Sequence, residues 1–192
     1  MFSGSSPQPP PDSIRWNGWF DIEWNIGGVI HNDTANNSLY QTGEQDVLEC
    51  FFLGPSAAYP APTSFKLGLL DSTYSIIRTH GITEVISKEL SDVTAPGYGT
   101  TEARKLVERG STGWPSSADN GSGAWNITSL QVIWTATGTW AATAGFMFLL
   151  SGGNLVRGNT EGRVVAVAGL LPTRQLQAVN DTVKVTYNLT LS

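Results

Sequence analysis

The last ten residues constrain the fold most. Val183, Val185, Tyr187, Leu189 and Leu191 alternate without a break with Lys184, Thr186, Asn188, Thr190 and Ser192. Side chains along a β-strand point to opposite faces with a period of two, so this is a strand with one apolar and one wet face. A helical period of 3.6 would scatter the same apolar residues around the axis. Asn180-Asp181 marks the entry to this strand. Near the other end, Phe20, Ile22, Trp24 and Ile26 alternate in the same way with Asp21, Glu23 and Asn25, and Gly27-Gly28 breaks the pattern.

Between these two segments the chain offers further short strands. Phe65–Leu70, Tyr74–Arg78, Trp125–Thr128 and Leu130–Ala136 read as strands. Trp140, Ala142, Ala144, Phe146, Phe148 and Leu150 continue the alternation over the length of a long strand. Val164–Leu171 is an apolar run, as expected of a strand covered on both faces, and Pro172 is expected to end it. His31–Ser38 (HNDTANNS) reads as a polar loop, and Gly54–Thr63, with Pro55, Pro60 and Pro62, as another. Asp46–Leu53 is a buried strand or a single helical turn, and Val85–Leu90 is a candidate short helix.

Thr101–Arg109 carries helix signals. Thr101 can cap the start, Glu102 sits in the first turn, Arg109 in the last, and Gly110 follows; Ala103, Leu106 and Val107 form a stripe. Tyr98 and Trp114, each flanked by glycine, bracket it. The expected fold is mainly β: a two-sheet antiparallel β-sandwich, jelly-roll-like, with one short α-helix near 101–109. Residues 1–37 are expected to form an N-terminal arm with a Pro-rich start (1–13) and a leading strand, and 38–192 the β-sandwich domain. No sequence repeat with a period of 20–50 residues suggests a propeller or solenoid.

Composition narrows the function. Charged residues make up 14% of the chain, against about 25% in typical soluble domains, which suits extensive subunit contact. The net charge of -5 argues against a nucleic-acid partner and against an anionic membrane surface. The stretch Ala144–Leu150 is too short to span a bilayer. The start MFSGSSPQPPPD lacks the basic and apolar regions of a signal peptide, so the asparagine triplets at Asn32, Asn36, Asn120, Asn126, Asn180 and Asn188 are read as turn and strand-end residues. Assembly in a bacterial-type cytoplasm is the expectation. Pro9, Pro10 and Pro11 favour a polyproline II run. A segment this polar gains order only by lying on a partner chain, a neighbouring subunit or its own domain's flank.

Catalytic signatures are missing from the sequence. His31 and His80 have no metal-ligand spacing, Cys50 sits in an apolar run as an inert thiol, and no phosphate loop or nucleophile elbow occurs. Asp21 and Glu23 share a strand face near Trp19 and Trp24, the kind of pair that a glycosidase uses, but a solvated face is the plainer reading. Glu44, Asp46 and Glu49 form an acidic patch without a cation signature. Of the seven tryptophans, Trp24, Trp134 and Trp140 fall on apolar faces, whereas Trp16, Trp19, Trp114 and Trp125 lie near loops or strand edges. Those four suit subunit contacts or, in a carbohydrate-binding module, sugar stacking. Pro9, Pro10, Pro11, Trp16, Trp19, Tyr98 and Trp114 are the candidate interface residues. Neither a cofactor nor a metal is expected, nor is the chain expected to be an enzyme.

A series of short motifs runs in order through the chain: TGEQDVLECFFLG, FKLGLLDS, VISKELSDVTAPGYG, ARKLVERGSTGWP, WNITS, WTATGTW and VNDTVKVTYNLTLS. From about Ser38 to Ser192 this order resembles small structural proteins of tailed-bacteriophage virions, those of cyanobacterial phages included. Thr100-Thr101 departs from the pattern, because relatives commonly carry a basic residue soon after the Gly-Tyr. The resemblance implies a β-sandwich virion component with no catalytic residues to transfer. Its expected role is capsid decoration or cement, with neck or tail protein as the alternative. The expected partners are the major capsid protein or other virion subunits, and copies of itself.

Overall fold

A computed structural model describes residues 16–48, 63–119, 121 and 124–191. Among these residues ten antiparallel strands form one strongly curled sheet, a half-barrel.

The two alternating segments build its centre. β1 (Trp16–Ile26) buries Gly18, Phe20, Ile22 and Trp24 and turns the intervening residues outward. Gly27 and Gly28, at φ 58° and 81°, make the two-residue turn that pairs Ile26 with Val29. Two successive positive φ angles match the twist of a hairpin, and glycine adopts them without strain. β2 (Val29–Leu39) follows as a strand, where the polar composition predicts a loop. Its register is fixed by the turn and its backbone groups bond to β1, so it needs little apolar content; Ala35 is its buried hydrophobic residue. β10 (Thr182–Leu191) pairs with β1 on the other side, from Trp16↔Leu191 to Asn25↔Thr182.

β2 is also where the sheet bends. It pairs with β1 through Asn36, then with β9 (Arg163–Arg174) at Asn37, Ser38 and Leu39. One wing therefore contains β2, β1 and β10, then β6 (Trp125–Thr128) and β5 (Ser116–Asp119), with β7 (Val132–Thr135) on the first half of β10. The other contains β9, β8 (Ala144–Ser151), β3 (Ser64–Asp71) and β4 (Lys105–Glu108). The inner faces share one core. Phe20, Trp24, Trp134 and Val185 from the first wing belong to the same cluster as Leu67, Leu69, Met147 and Ala168 from the second. Trp24 is fully buried although its indole Nε1 has no partner. Removing about 200 Å² of ring from water is worth roughly 5 kcal/mol, and an unpaired donor costs about 1–3 kcal/mol, so burial wins.

The second wing is buried on its outer face as well. Leu70, Phe148, Leu150, Val164 and Val167 lie under Tyr40, Tyr74 and Val85. The cover comes from α1 (Gln41–Leu48), which packs on β9, from residues 74–80, and from α2 (Ile82–Ile86). The double covering expected of the Val164–Leu171 run is present through Leu170, whereas Leu171 is 86% exposed.

Three further expectations are corrected. Thr101–Arg109 is not a helix: residues 100–104 are irregular and β4 pairs with β3, Phe65 opposite Val107. Nine residues make a marginal helix by themselves. The edge of β3 offers them a ladder, and Arg104 is drawn to zero exposure by Glu89. Leu106, a member of the supposed helical stripe, is 44% exposed. Tyr74–Arg78 is not a strand either; the Tyr74 hydroxyl meets that of Tyr40 at 2.6 Å and the segment lids the outer face. Pro172 does not end β9, because pairing with β8 skips from Gly169↔Phe146 to Arg174↔Ala144. In that irregular step no ladder bond is asked of the proline.

Candidate functional site

Asp21, Glu23, Glu44 and Asp46, the described carboxylates among the sequence candidates, all have partners. Asp21 accepts hydrogen bonds from Thr34 Oγ1 at 3.1 Å and Asn188 Nδ2 at 2.7 Å, both across strands. Glu23 pairs with Lys184 at 2.6 Å. Asp21 and Glu23 thus bind neighbouring strands on the wet face of β1. Glu44 pairs with Arg78, and Asp46 with Arg163 at 2.8 Å. Glu49 and Cys50 lie outside the described residues. His80 Nδ1 is 3.2 Å from the Tyr74 hydroxyl. Among the described residues no group of three His, Cys, Asp or Glu side chains can hold a metal ion.

The most elaborate polar cluster is structural. Beyond β4 the edge of β3 is sealed by residues 88–98: Asp71 N–H donates to Lys88 O, Leu90 N–H to Leu69 O, and Leu69 N–H to the Tyr98 hydroxyl at 2.9 Å. That hydroxyl donates to Glu89 at 3.2 Å. Arg104 grips Glu89 with two bonds of 2.9 Å, and both side chains have zero exposure. Gly158 N–H also donates to Glu89, and Arg104 donates to the carbonyls of Asn154 and Asn159. Burial, then the charge of Glu89, holds the Tyr98 hydroxyl well above its ordinary pKa, so it stays a neutral donor. Tyr98 is therefore no interface residue. Gly97 and Gly99 do turn sharply around it, at φ 94° and 78°, but the turn points the ring inward, where it stacks on Trp134 at 6.3 Å.

The open feature lies at the end of the core where β1 begins. The inner rows of β1 and β10 run on past the closed core to Trp16 and Leu189. With Leu39, Phe65, Ile127, Leu149, Val165 and Tyr187, and with the loop from Arg109 to Pro115, they line a trough of about 550 Å³. Trp114 stands edge-on to Phe65 at 5.5 Å and to Tyr187 at 6.1 Å. Its indole Nε1 is buried without a partner. Arg109 and Ser111 sit on the rim, and Arg109 makes no ion pair among the described residues. A second, more polar hollow adjoins the first through Trp16 and Leu39 and includes Trp19, Asn36, Asn37 and Arg78.

The trough brings together Trp16 and Trp114, two of the residues named from sequence, while Trp19, a third, lines the adjoining polar hollow. Pro9, Pro10 and Pro11 lie outside the described residues. Trp125 is 57% exposed on β6, whereas Trp24, Trp134 and Trp140 are core, as their apolar faces predict. The sequence reading missed the apolar wall of Leu39, Ile127, Leu149 and Val165 and the rim cation Arg109. The partial signal was that β10 keeps its apolar alternation through Leu189 and Leu191. The trough offers an apolar surface with aromatic walls and a cation at its rim. Neither protein-family models nor curated proteins yield a match to this chain.

Proposed function

We propose that this chain is a structural subunit of a tailed-bacteriophage virion, a decoration or cement protein that stabilises the capsid shell through contacts with the major capsid protein and with its own copies. The observation that carries this reading is the open apolar trough beside the core of the described residues. Apolar surface left in water favours association, and interfaces are enriched in the tryptophan and tyrosine found there. The motif order from Ser38 to Ser192 supports the phage assignment. The paired carboxylates support a binding role over a catalytic one. On this reading the two wings are the facing layers of a jelly-roll-like sandwich, with β2 as the strand that crosses between them.

Mass spectrometry of purified particles, with heads and tails separated, tests the assignment. Recovery with the heads at many copies per particle is expected. Recovery with tails alone would move the protein to the neck or tail, and absence from both fractions overturns the proposal.

A further inference from the structure

We infer that the trough receives the proline segment Pro7–Asp12 of a neighbouring copy of this chain, so that copies are linked by exchanged arms. The inference rests on the reading of the chain as an assembling subunit.

Three observations lead to it. The first is where the undescribed arm begins. Trp16 lies on the trough wall, and β1 runs from it into the core. The chain before Trp16 is therefore joined at the open end. To dock on its own trough the arm would have to reverse within Asp12–Arg15, four residues that span at most about 14 Å. A neighbour's trough asks for no reversal.

The second is chemical fit. Pro7-Gln8-Pro9-Pro10 is a P-x-x-P segment. Such a segment favours polyproline II, about 3.1 Å per residue, with apolar ring faces and carbonyls that have no internal donor. Aromatic-lined grooves recognise this form. The trough supplies Trp16, Phe65, Trp114 and Tyr187 as walls. The third is charge. Asp12 follows the prolines directly, and the rim carries Arg109 without an ion-pair partner among the described residues. Each copy has one arm and one trough, so exchange closes a dimer or a ring.

The test uses the full-length chain. Sedimentation velocity across a concentration series should show self-association. Pro9→Ala with Pro10→Ala, and separately Arg109→Glu, should each weaken it at least tenfold; adding Asp12→Arg to Arg109→Glu should restore most of it. The proline changes lie outside the described fold, and Arg109 is exposed, so circular dichroism should be unchanged. A tagged Pro10→Cys chain mixed with a Ser111→Cys chain should form a disulfide-linked heterodimer under mild oxidation. A chain that is monomeric at every concentration overturns the inference, as does association indifferent to the arm and rim variants. A chain carrying both cysteines that closes on itself as a monomer shows docking in its own trough and overturns the exchange. Failure of the functional reading looks different: arm exchange is measured, yet the protein is missing from particles.

Discussion

The sealed edge of β3 and the open trough are opposite treatments of exposed sheet. At the edge of β3 the chain places charge where no water reaches, and it supplies every partner itself: Glu89 receives Arg104, Tyr98 and Gly158. At the trough it places apolar and aromatic surface where water does reach, and leaves an indole donor unpaired. A buried ion pair tolerates no missing partner, because the desolvation of each charge is offset only by the other. An open apolar wall tolerates change, because its neighbours are largely solvent. The first region holds the fold; the second is available to something outside it. Perturbations that affect stability should thus concentrate at the first region, and those that affect association at the second.

The largest effect should come from Arg104→Met. It leaves Glu89 buried beside one neutral hydroxyl and one amide, and should cost about 3–5 kcal/mol, read as a lower denaturant midpoint. A loss below about 1 kcal/mol would mean that water enters the cluster, and the contrast between the two regions would fail. Next is Asp181→Ala, at the turn where Asn180 adopts φ 71°. Asp181 accepts backbone N–H bonds from Gly27, Gln177 and Ala178, each 2.8–2.9 Å. Their loss should cost about 2–3 kcal/mol. Burial pushes the Asp181 carboxyl up in pKa, but the three N–H donors outweigh it and the net shift is downward. A lowered folded-state pKa means that the contribution is complete above the ordinary aspartate range, near about 3.9, and fades as pH falls through the folded value. The stability gap between wild type and Asp181→Ala should therefore narrow as pH falls below the ordinary aspartate range; a constant gap would show that folding leaves the carboxyl's pKa unchanged and that the three N–H donors do not favour its charged form.

The parts of this contrast differ in how far the sequence discloses them. β1 and β10 were legible because each has one dry and one wet face, a condition that alternation records directly. β2 was not, because backbone pairing, first with β1 and then with β9, makes it a strand, and its side-chain contacts are mostly polar. Thr101–Arg109 misled for a related reason. Its capping and spacing signals are local, while its structure is decided by Glu89, 15 residues before Arg104, and by the edge of β3. Tyr98 and Trp114 show the limit most clearly. Both are aromatics flanked by glycine, and sequence treats them alike; the turn sends one ring into the core and the other to the trough.

Smaller effects sharpen the comparison. Trp16→Ala removes a trough wall at the start of β1. It should cost about 2 kcal/mol, since the residue is 37% exposed and the rest is buried against the trough, while weakening self-association by an order of magnitude. A variant that lost stability and association in proportion would show that the trough is part of the core rather than a separate surface.

The smallest effect belongs to the wet face of β1, which calibrates both regions. Lys184 and Glu23 sit directly opposite in the β1–β10 register and touch at 2.6 Å, but each side chain is one-third exposed. Water already solvates both charges, so a double-mutant cycle with Lys184→Met and Glu23→Gln should give a coupling of about 0.2–1 kcal/mol that shrinks in 1 M salt. The distance resembles that of the Arg104–Glu89 contact; the difference is access to water. A coupling on this open face as large as the loss in Arg104→Met would mean that contact geometry, not desolvation, sets the energy. The separation of a fold-holding edge from a binding end would then lose its physical basis.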